Sequence, residues 1–391
     1  MYKCNIIGIS DSRKQWFPPE VMEIIAAGRV FSGGKRHHEI MGRMLPKDSV
    51  WIDITPPLKD VFRHYEAHDE VVIFASGDPL FYGFASTVRR ECPDADIKVY
   101  PTFNSIQMLA HRMNMPYQDV RNVSLTGRGW DGFDEALIRG ERLIGCLTDK
   151  HKTPHAIMQR MREYGYDNYK MTVGECLGNE ERERVSEYDE NTVYEDPNCI
   201  ILQAGAGWRR APRLGLPESE FHLLDGRTKM ITKMPIRLLS LSMLDLNERH
   251  SFWDVGFCTG SVSIEAKLHF PHLSITAFEI REEGERLMAL NSRKFGAPGI
   301  NAVIGNFLDA DLSQYPSPDA VFIGGHGGRL EEMINKICAV LNADGCIVFN
   351  SVSEESRRMF VRSIEKAGMS LTAQTRIVLD DNNPIYILKA Q

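Results

Sequence analysis

Phe252-Trp253-Asp254-Val255-Gly256-Phe257-Cys258-Thr259-Gly260-Ser261 reads as a β-strand that runs into a glycine turn and then a helix. Gly256 and Gly260 permit a tight turn and a close backbone approach to a ligand. The helix N-terminus at Ser261 presents N–H groups suited to a carboxylate or phosphate. Glu279 ends the next strand, nineteen residues beyond Gly260. A carboxylate there can accept both hydroxyls of a ribose in a charge-assisted pair.

Outward from this stretch the pattern completes itself. A helix over Pro235–Leu244 precedes strand Ser251–Val255. After it come helix Ser261–Phe270, strand Ser274–Ile280, helix Glu282–Phe295 and strand Asn301–Ile304. Strand Asp319–Ile323, helix Arg329–Leu341, strand Cys346–Asn350, helix Glu354–Ala367 and a terminal pair (Leu371–Leu379, Pro384–Leu388) follow. Alternation of this kind predicts a doubly wound, Rossmann-like α/β unit.

The first two hundred residues show the same rhythm with different spacing. Strands are predicted over Lys3–Ile9, Val50–Ile54, Glu70–Ala75, Ile97–Tyr100, Asn122–Thr126, Arg142–Thr148, Tyr169–Glu175 and Asn198–Gln203. Helices are predicted over Pro18–Ala27, Leu58–Tyr65, Pro79–Arg90 and Asn104–Met113. An interruption at Asn114–Asp119 suggests two α/β subdomains. The Gly-, Pro- and Arg-rich run Gly205–Gly215 has no hydrophobic period and marks a boundary. The expected organisation is a domain over 1–207, a linker over 208–215 and a second domain over 216–391. The halves share no internal repeat, which points to a fusion of unlike domains.

A length of 391 residues exceeds what one compact core supports, and 43% hydrophobic with 25% charged residues is ordinary for a globular chain. A net charge of −7 argues against a bulk nucleic-acid binder but leaves room for local basic pockets. No apolar run is long enough to span a membrane, and the short apolar start Met1–Gly8 reads as a strand rather than a signal peptide. Eight scattered cysteines without a C-x-x-C give no zinc site or disulfide framework, so no metal is expected and the cytoplasm is the expected location.

Two ligand classes compete for the glycine turn. Dinucleotides favour G-x-G-x-x-G, whereas Asp254 to Gly260 reads D-x-G-x-x-x-G. The latter resembles motif one of the class I S-adenosylmethionine methyltransferases, with Cys258 in place of the middle glycine. That resemblance implies donor contacts from Gly256, Thr259, Gly260, Ser261 and Glu279. It also places Asn306 and Phe307 beside the adenine and Gly324 beside the methyl group. Together with Pro318–Gly325 and the upstream Met230-Ile231-Thr232-Lys233…Arg237, these strings resemble the decarboxylating precorrin C15-methyltransferase family. In that family the T-K-x-E-x-R stretch lies near donor and substrate. Pro235 replaces its Glu here, so Thr232 is implied as a donor contact and Lys233 and Arg237 as substrate contacts.

In the N-terminal half, Ala75-Ser76-Gly77-Asp78-Pro79-Leu80-Phe81-Tyr82-Gly83 follows a buried strand and opens a helix capped by Asp78. With Gly33–His37, Pro101–Gln107, Ser124–Arg128, Thr148–Pro154 and Gly174–Val185, it resembles the tetrapyrrole methylases (class III methyltransferases) of the precorrin C5 type. The implied donor pocket uses Gly77, Asp78, Asn104 and Ser105, with Leu147 and Leu177 packing on adenosine. The family's G-x-G-P-G loop is replaced by Gly8-Ile9-Ser10-Asp11-Ser12. Lys35, Arg36 and Arg128 are candidate partners for substrate carboxylates, as is the Arg209-Arg210…Arg213 run; solvated surface charge is the alternative. His37 and His38 read either as acid–base groups or as one packed and one solvated histidine.

The order of the halves, C5-type then C15-type, resembles the fused, decarboxylating C5,15-methyltransferases of cobalamin biosynthesis. The resemblance implies two S-adenosylmethionine sites, one per domain, acting on precorrin-6B or cobalt-precorrin-6B. It further implies loss of the C12 acetate carboxyl and a homo-oligomer. No general base stands out, in keeping with transfers in which positioning supplies about 7–11 kcal/mol. Alternatives are a class I methyltransferase of RNA or protein, a dinucleotide-dependent oxidoreductase and a non-catalytic tetrapyrrole carrier.

Overall fold

A computed structural model describes residues 2–205, 213–379 and 383–391. The chain forms two compact units. The first holds Met1–Arg128, Arg142–Met158 and Asn168–Ala206; the second holds Gly129–Glu141, Gln159–Asp167 and Gly207–Gln391. Of the expected linker, residues 208–212 lie outside the described residues, Arg209 and Arg210 among them, while Arg213 pairs with Glu220 at 2.9 Å.

The first unit contains two sheets. Strands β1 (Lys3–Ile9), β2 (Val30–Gly33), β3 (Val50–Asp53), β4 (Glu70–Ser76) and β5 (Asp96–Tyr100) form a parallel sheet in the order β3-β2-β4-β1-β5. Six of the seven β1 residues are buried, as expected of a central parallel strand covered on both faces. Cys4 and Ile6 pack with Val71 and Ile73 on one face; Ile7 and Ile9 pack with Val72 and Phe74 on the other. Helices α1 (Pro19–Ala27), α2 (Lys35–Met41), α3 (Leu58–Glu66) and α4 (Phe84–Glu91) connect these strands. Helix α5 (Ser105–Arg112) leads to the second sheet, and α6 (Asp131–Ile138) and α7 (Pro154–Glu163) interrupt its strands in sequence. That sheet is mixed, with β6 (Arg121–Ser124), β7 (Leu143–Leu147), β8 (Tyr169–Glu175), β9 (Arg184–Glu187) and β10 (Asn198–Ala204) in the order β6-β7-β10-β8-β9.

Two expectations need correction here. The change of sheet falls at 101–104, before α5 rather than at Asn114–Asp119, because Ile106 and Leu109 pack with Cys199 and Ile201 of the second sheet. Helix α4 starts at Phe84 and not Pro79: the Asp78 carboxylate accepts the Leu80 N–H at 2.9 Å, closing a separate turn, and Tyr82 adopts a φ of +53° that no helix continues.

The second unit carries α8 (Met234–Leu244), α9 (Ser261–His269), α10 (Glu283–Phe295), α11 (Leu330–Cys338) and α12 (Glu354–Lys366). Its strands are β11 (Ser251–Val255), β12 (Ser274–Glu279), β13 (Ile300–Ile304), β14 (Ala320–Ile323), β15 (Cys346–Ser351), β16 (Leu371–Ile377) and β17 (Ile385–Ala390). They form one sheet in the order β13-β12-β11-β14-β15-β17-β16, parallel as far as β15 and antiparallel beyond. Trp253, Val255, Val321 and Phe349 face one apolar layer; Phe252, Ile275, Phe322 and Val348 face the other. The chain starts in the middle at β11, works outward to β13, then resumes at β14 on the other side. The crevice at the carboxyl ends of β11 and β14 is therefore the switch point where α/β sheets bind ligands.

Candidate functional site

At that switch point lies a cavity of about 540 Å³, within the ordinary range of about 300–1,000 Å³ for small-molecule sites. Its floor is a contact between loops. Gly256 follows β11 with φ +83°, and a Cβ there would stand 2.8 Å from the Gly325 backbone nitrogen. Only glycine allows both that φ and that approach. Cys258 also lies in the left-handed region, at φ +52°, a conformation glycine adopts without strain. Its N–H donates to Glu279 Oε2 at 2.8 Å and its thiol to the Met230 carbonyl at 3.1 Å.

Glu279 ends β12, is 2% exposed and lines the cavity. Its Oε1 accepts the Arg281 N–H at 3.0 Å and Arg281 Nη1 at 2.8 Å. Asn306 and Phe307 line the same space beyond β13: the Asn306 side chain accepts the Leu308 N–H and donates to Asp309, and the Phe307 ring meets Phe278 edge-on at 5.0 Å. Gly324, Thr232 and Lys233 complete the expected residues found there.

Other residues of the motif, with Thr259, Gly260 and Ser261 of the implied donor contacts among them, lie behind the wall. Asp254 is fully buried; its Oδ2 accepts the Ser263 N–H at 3.1 Å and hydroxyl at 2.6 Å, so it caps α9 and uses a donor otherwise open to a ligand. Burial holds this carboxyl up to about 7 against the pull of those bonds. Thr259 and Ser261 are buried and do not line the cavity, and Gly260 serves helix packing, since a Cβ there would meet Met288 Sδ at 2.6 Å. Asp319 sits at the opposite, amino end of β14, where it accepts the His250 and Ser251 N–H groups.

Arg237 is not a substrate contact. It is 0% exposed, and its Nε donates to the equally buried Glu265 at 3.0 Å. Nη1 donates to the Thr232 carbonyl at 2.7 Å and Nη2 to the Leu216 carbonyl. Every arm of the guanidinium is spent holding the chain that enters the unit.

The cavity also contains residues that the motif reading did not single out: Lys229, Arg281, His326 and Arg329. With Lys233 they make four full cations against one carboxylate, Glu279, among the described lining residues. Arg281 pairs with Glu279 and Arg329 with Glu332, whereas among the described residues no ion pair engages Lys229 or Lys233. Loop positions have no periodicity, so their convergence depends on strand order alone.

In the first unit, Gly77 follows β4 with φ +61°, and a Cβ there would stand 3.0 Å from Asn104 Cα. Asn104 caps α5: its side chain accepts the Gln107 N–H at 2.9 Å while Gln107 accepts the Asn104 N–H at 3.0 Å. Ser105 is the first residue of that helix. Asp78 stays in the turn beside Gly77. Leu147 and Leu177 pack in one apolar cluster with Phe81 and Met108. Thus the glycine turn, the α5 start and an apolar wall are drawn together.

The loop after β1 is built from side chains rather than glycines. Gln15 Nε2 donates to the Ser10 and Ser12 carbonyls, Asp11 accepts Arg36 at 3.2 Å and Asn179 at 3.0 Å, and Ser12 donates to Glu180 at 2.6 Å. Arg36 also donates to Ser76 at 2.8 Å, so it is a tethered cation, whereas Lys35 is exposed. Arg128 is exposed and lies 4.9 Å from the Tyr82 ring centroid. His37 accepts the Gly34 N–H and meets Ser76 Oγ at 2.9 Å; burial, then Arg36, pushes it down to about 4, so it is neutral and structural. His38 stacks on Trp51 at 4.1 Å.

Comparison with known proteins gives two family matches. Residues 3–189 match the Tetrapyrrole (Corrin/Porphyrin) Methylases, and residues 224–386 match the Precorrin methyltransferase domain. A precorrin-6Y C(5,15)-methyltransferase [decarboxylating] from Sinorhizobium sp is 30% identical over 376 residues, covering 94% of this chain and 89% of that protein. A cobalt-precorrin-6B C(15)-methyltransferase (decarboxylating) from Salmonella typhimurium is 31% identical over 180 residues, covering 43% of this chain and 92% of its own length. A crystal structure of a precorrin-6y C5,15-methyltransferase from Geobacter metallireducens GS-15 is 33% identical, covers 46% of this chain and 97% of that chain, and has a TM-score of 0.42.

Proposed function

The chain belongs to the decarboxylating precorrin-6Y C(5,15)-methyltransferases, and from that premise we propose how its two units divide the work. The second unit methylates C15 of precorrin-6B or its cobalt form and removes the C12 acetate carboxyl; the first methylates C5. Each uses S-adenosylmethionine at its own site. When bound, this donor supplies an electrophilic methyl group on a sulfonium.

The observation that carries this reading is the charge of the switch-point cavity. In a chain of net charge −7, four cations and one carboxylate face the same space. A tetrapyrrole bearing several carboxylates fits that balance, and among the described residues Lys229 and Lys233 are lining cations with no carboxylate partner. Glu279 would take the ribose, Gly256 would let the nucleoside lie against backbone, and Phe278, Phe307 and Leu308 offer a wall for the planar base. These residues bind, orient and exclude water. Alignment of the reacting atoms then accounts for much of the barrier lowering, about 7–11 kcal/mol when two reactants are well oriented. Electrons released with CO₂ pass into the conjugated macrocycle of the substrate itself.

In the first unit, support comes from the Gly77 turn beside Asn104 and from the Leu147–Leu177 wall. Arg128 and Lys35, both exposed, are candidate partners for substrate carboxylates there. Self-association belongs to the same reading and is measured by sedimentation. The test of the whole is mass spectrometry after incubation with S-adenosylmethionine and metal-free or cobalt-bearing precorrin-6B. Two added methyl groups and one lost carboxyl support the assignment; an unchanged tetrapyrrole overturns it.

A further inference from the structure

We propose that His326 grips a carboxylate of the tetrapyrrole through its Nε2–H and so fixes the substrate against the methyl-donor end of the second unit's cavity. The proposal rests on the function given above and adds a substrate-binding residue to it.

His326 lies in the loop that follows β14, and it lines the cavity. The Gly328 backbone N–H donates to Nδ1 at 3.1 Å. Nδ1 is therefore the bare nitrogen of a neutral ring, and the ring proton sits on Nε2. The imidazole meets Phe349 edge-on at 5.8 Å, which fixes its plane. Among the described residues nothing accepts from Nε2. Burial lowers the ring's basicity, so the neutral donor form prevails near pH 7.

Position separates this donor from the nucleoside half of the site. Glu279 and Asn306 stand beyond β12 and β13, on one side of β11; His326 stands beyond β14, on the other. The two sets of loops meet at Gly256 and Gly325. A molecule reaching His326 thus extends from the donor end across the switch point. There Lys229 and Lys233 supply charge on flexible stems, whereas a ring held by a backbone bond and an aromatic neighbour supplies direction.

The test uses the full chain. His326→Phe keeps a flat ring beside Phe349 and removes the donor; His326→Gln restores an N–H close to the Nε2 position. CO₂ release from precorrin-6B gives KM and kcat, and calorimetry with S-adenosylhomocysteine reports the donor site. His326→Phe should raise KM by about tenfold to a hundredfold, the range for a hydrogen bond to a charged group. Its affinity for S-adenosylhomocysteine should equal that of the wild type, and His326→Gln should recover most of the loss. An unchanged KM in His326→Phe overturns the proposal, and so does a parallel loss of S-adenosylhomocysteine affinity, which would make the ring a support of the donor loop. If His326→Phe does not fold, His326→Ala must show the same rise in KM. A wild-type protein that releases no CO₂ overturns the functional reading as well, and that outcome is distinct from the others.

Discussion

Replacing Glu279 with Gln removes one charge from the cavity with almost no change in volume. An ionised carboxylate has about four acceptor positions. In this protein Oε2 gives one to the Cys258 amide, and Oε1 gives two to Arg281. One position remains for a ribose hydroxyl unless the Arg281 side chain, 35% exposed, swings aside and frees a second. The expectation of a carboxylate taking both hydroxyls is thereby reduced to one direct bond in the resting geometry. Loss of one hydrogen bond to a charged group costs about 1.5–3 kcal/mol, or roughly tenfold to a hundredfold in affinity. Calorimetric titration with S-adenosylhomocysteine should show that loss at one site of two. The Gln amide also confronts a backbone donor on one side, an unsatisfied pair worth about 1–3 kcal/mol, so the second unit's melting temperature should fall. C5 methylation should persist while C15 methylation needs about tenfold to a hundredfold more donor. A Glu279→Gln protein that binds S-adenosylhomocysteine as tightly as wild type refutes the assigned role. Equal loss of both methylations refutes separate donor sites.

Three further outcomes are expected. Gly77→Val forces a side chain onto Asn104 Cα, 3.0 Å from the added Cβ, at a φ of +61°; it should stop C5 methylation and leave CO₂ release intact, and full double methylation by this variant would remove the first unit's site from that turn. Burial pushes the Asp254 carboxyl up to about 7 in the native protein, against about 3.9 when unfolded, so the native state holds an extra proton between those values. Stability should therefore fall as pH rises through that window, with the loss complete above about 7. Asp254→Asn should abolish that component in urea midpoints taken from pH 4 to 8, and identical pH profiles for the two proteins would contradict it. Glu265→Ala leaves Arg237 charged, buried and unpaired, which should cost about 3–5 kcal/mol of unfolding free energy; a midpoint shift worth under 1 kcal/mol would show that water reaches the guanidinium.

The parts of this molecule written in local sequence were legible. Largely apolar runs such as Cys4–Ile9, broken by Asn5, and Phe252–Val255, broken by Asp254, still read as strands covered on both faces. The turn at Gly256 announced the switch-point cavity, because a glycine between a buried strand and a helix answers a backbone need. What failed was the assignment of polar side chains whose partners lie far along the chain. Arg237 looked available until Glu265, twenty-eight residues on, took it into the core. Ser261 looked open to a ligand at the start of its helix, yet it is buried and does not line the cavity. Asp78 before Pro79 carries every local mark of a helix start, and a side-chain bond to Leu80 diverts it into a turn. His326 sits in a glycine-flanked loop where neither period nor composition signals a role, and only the order of the strands brings it to the cavity.

The pairing of Arg237 with Glu265 also decides where this polypeptide tolerates a new beginning. Glu265 receives the amide of Gly215 at 2.7 Å and that of Leu216 at 3.1 Å, and Arg237 returns a bond to the Leu216 carbonyl. A fragment cut to start at residue 216 discards the first of those amides and places a terminal ammonium beside two charges already sealed from water. Starting at Arg213 keeps both. Anyone separating the second unit for study inherits that constraint from a single clasp in its interior.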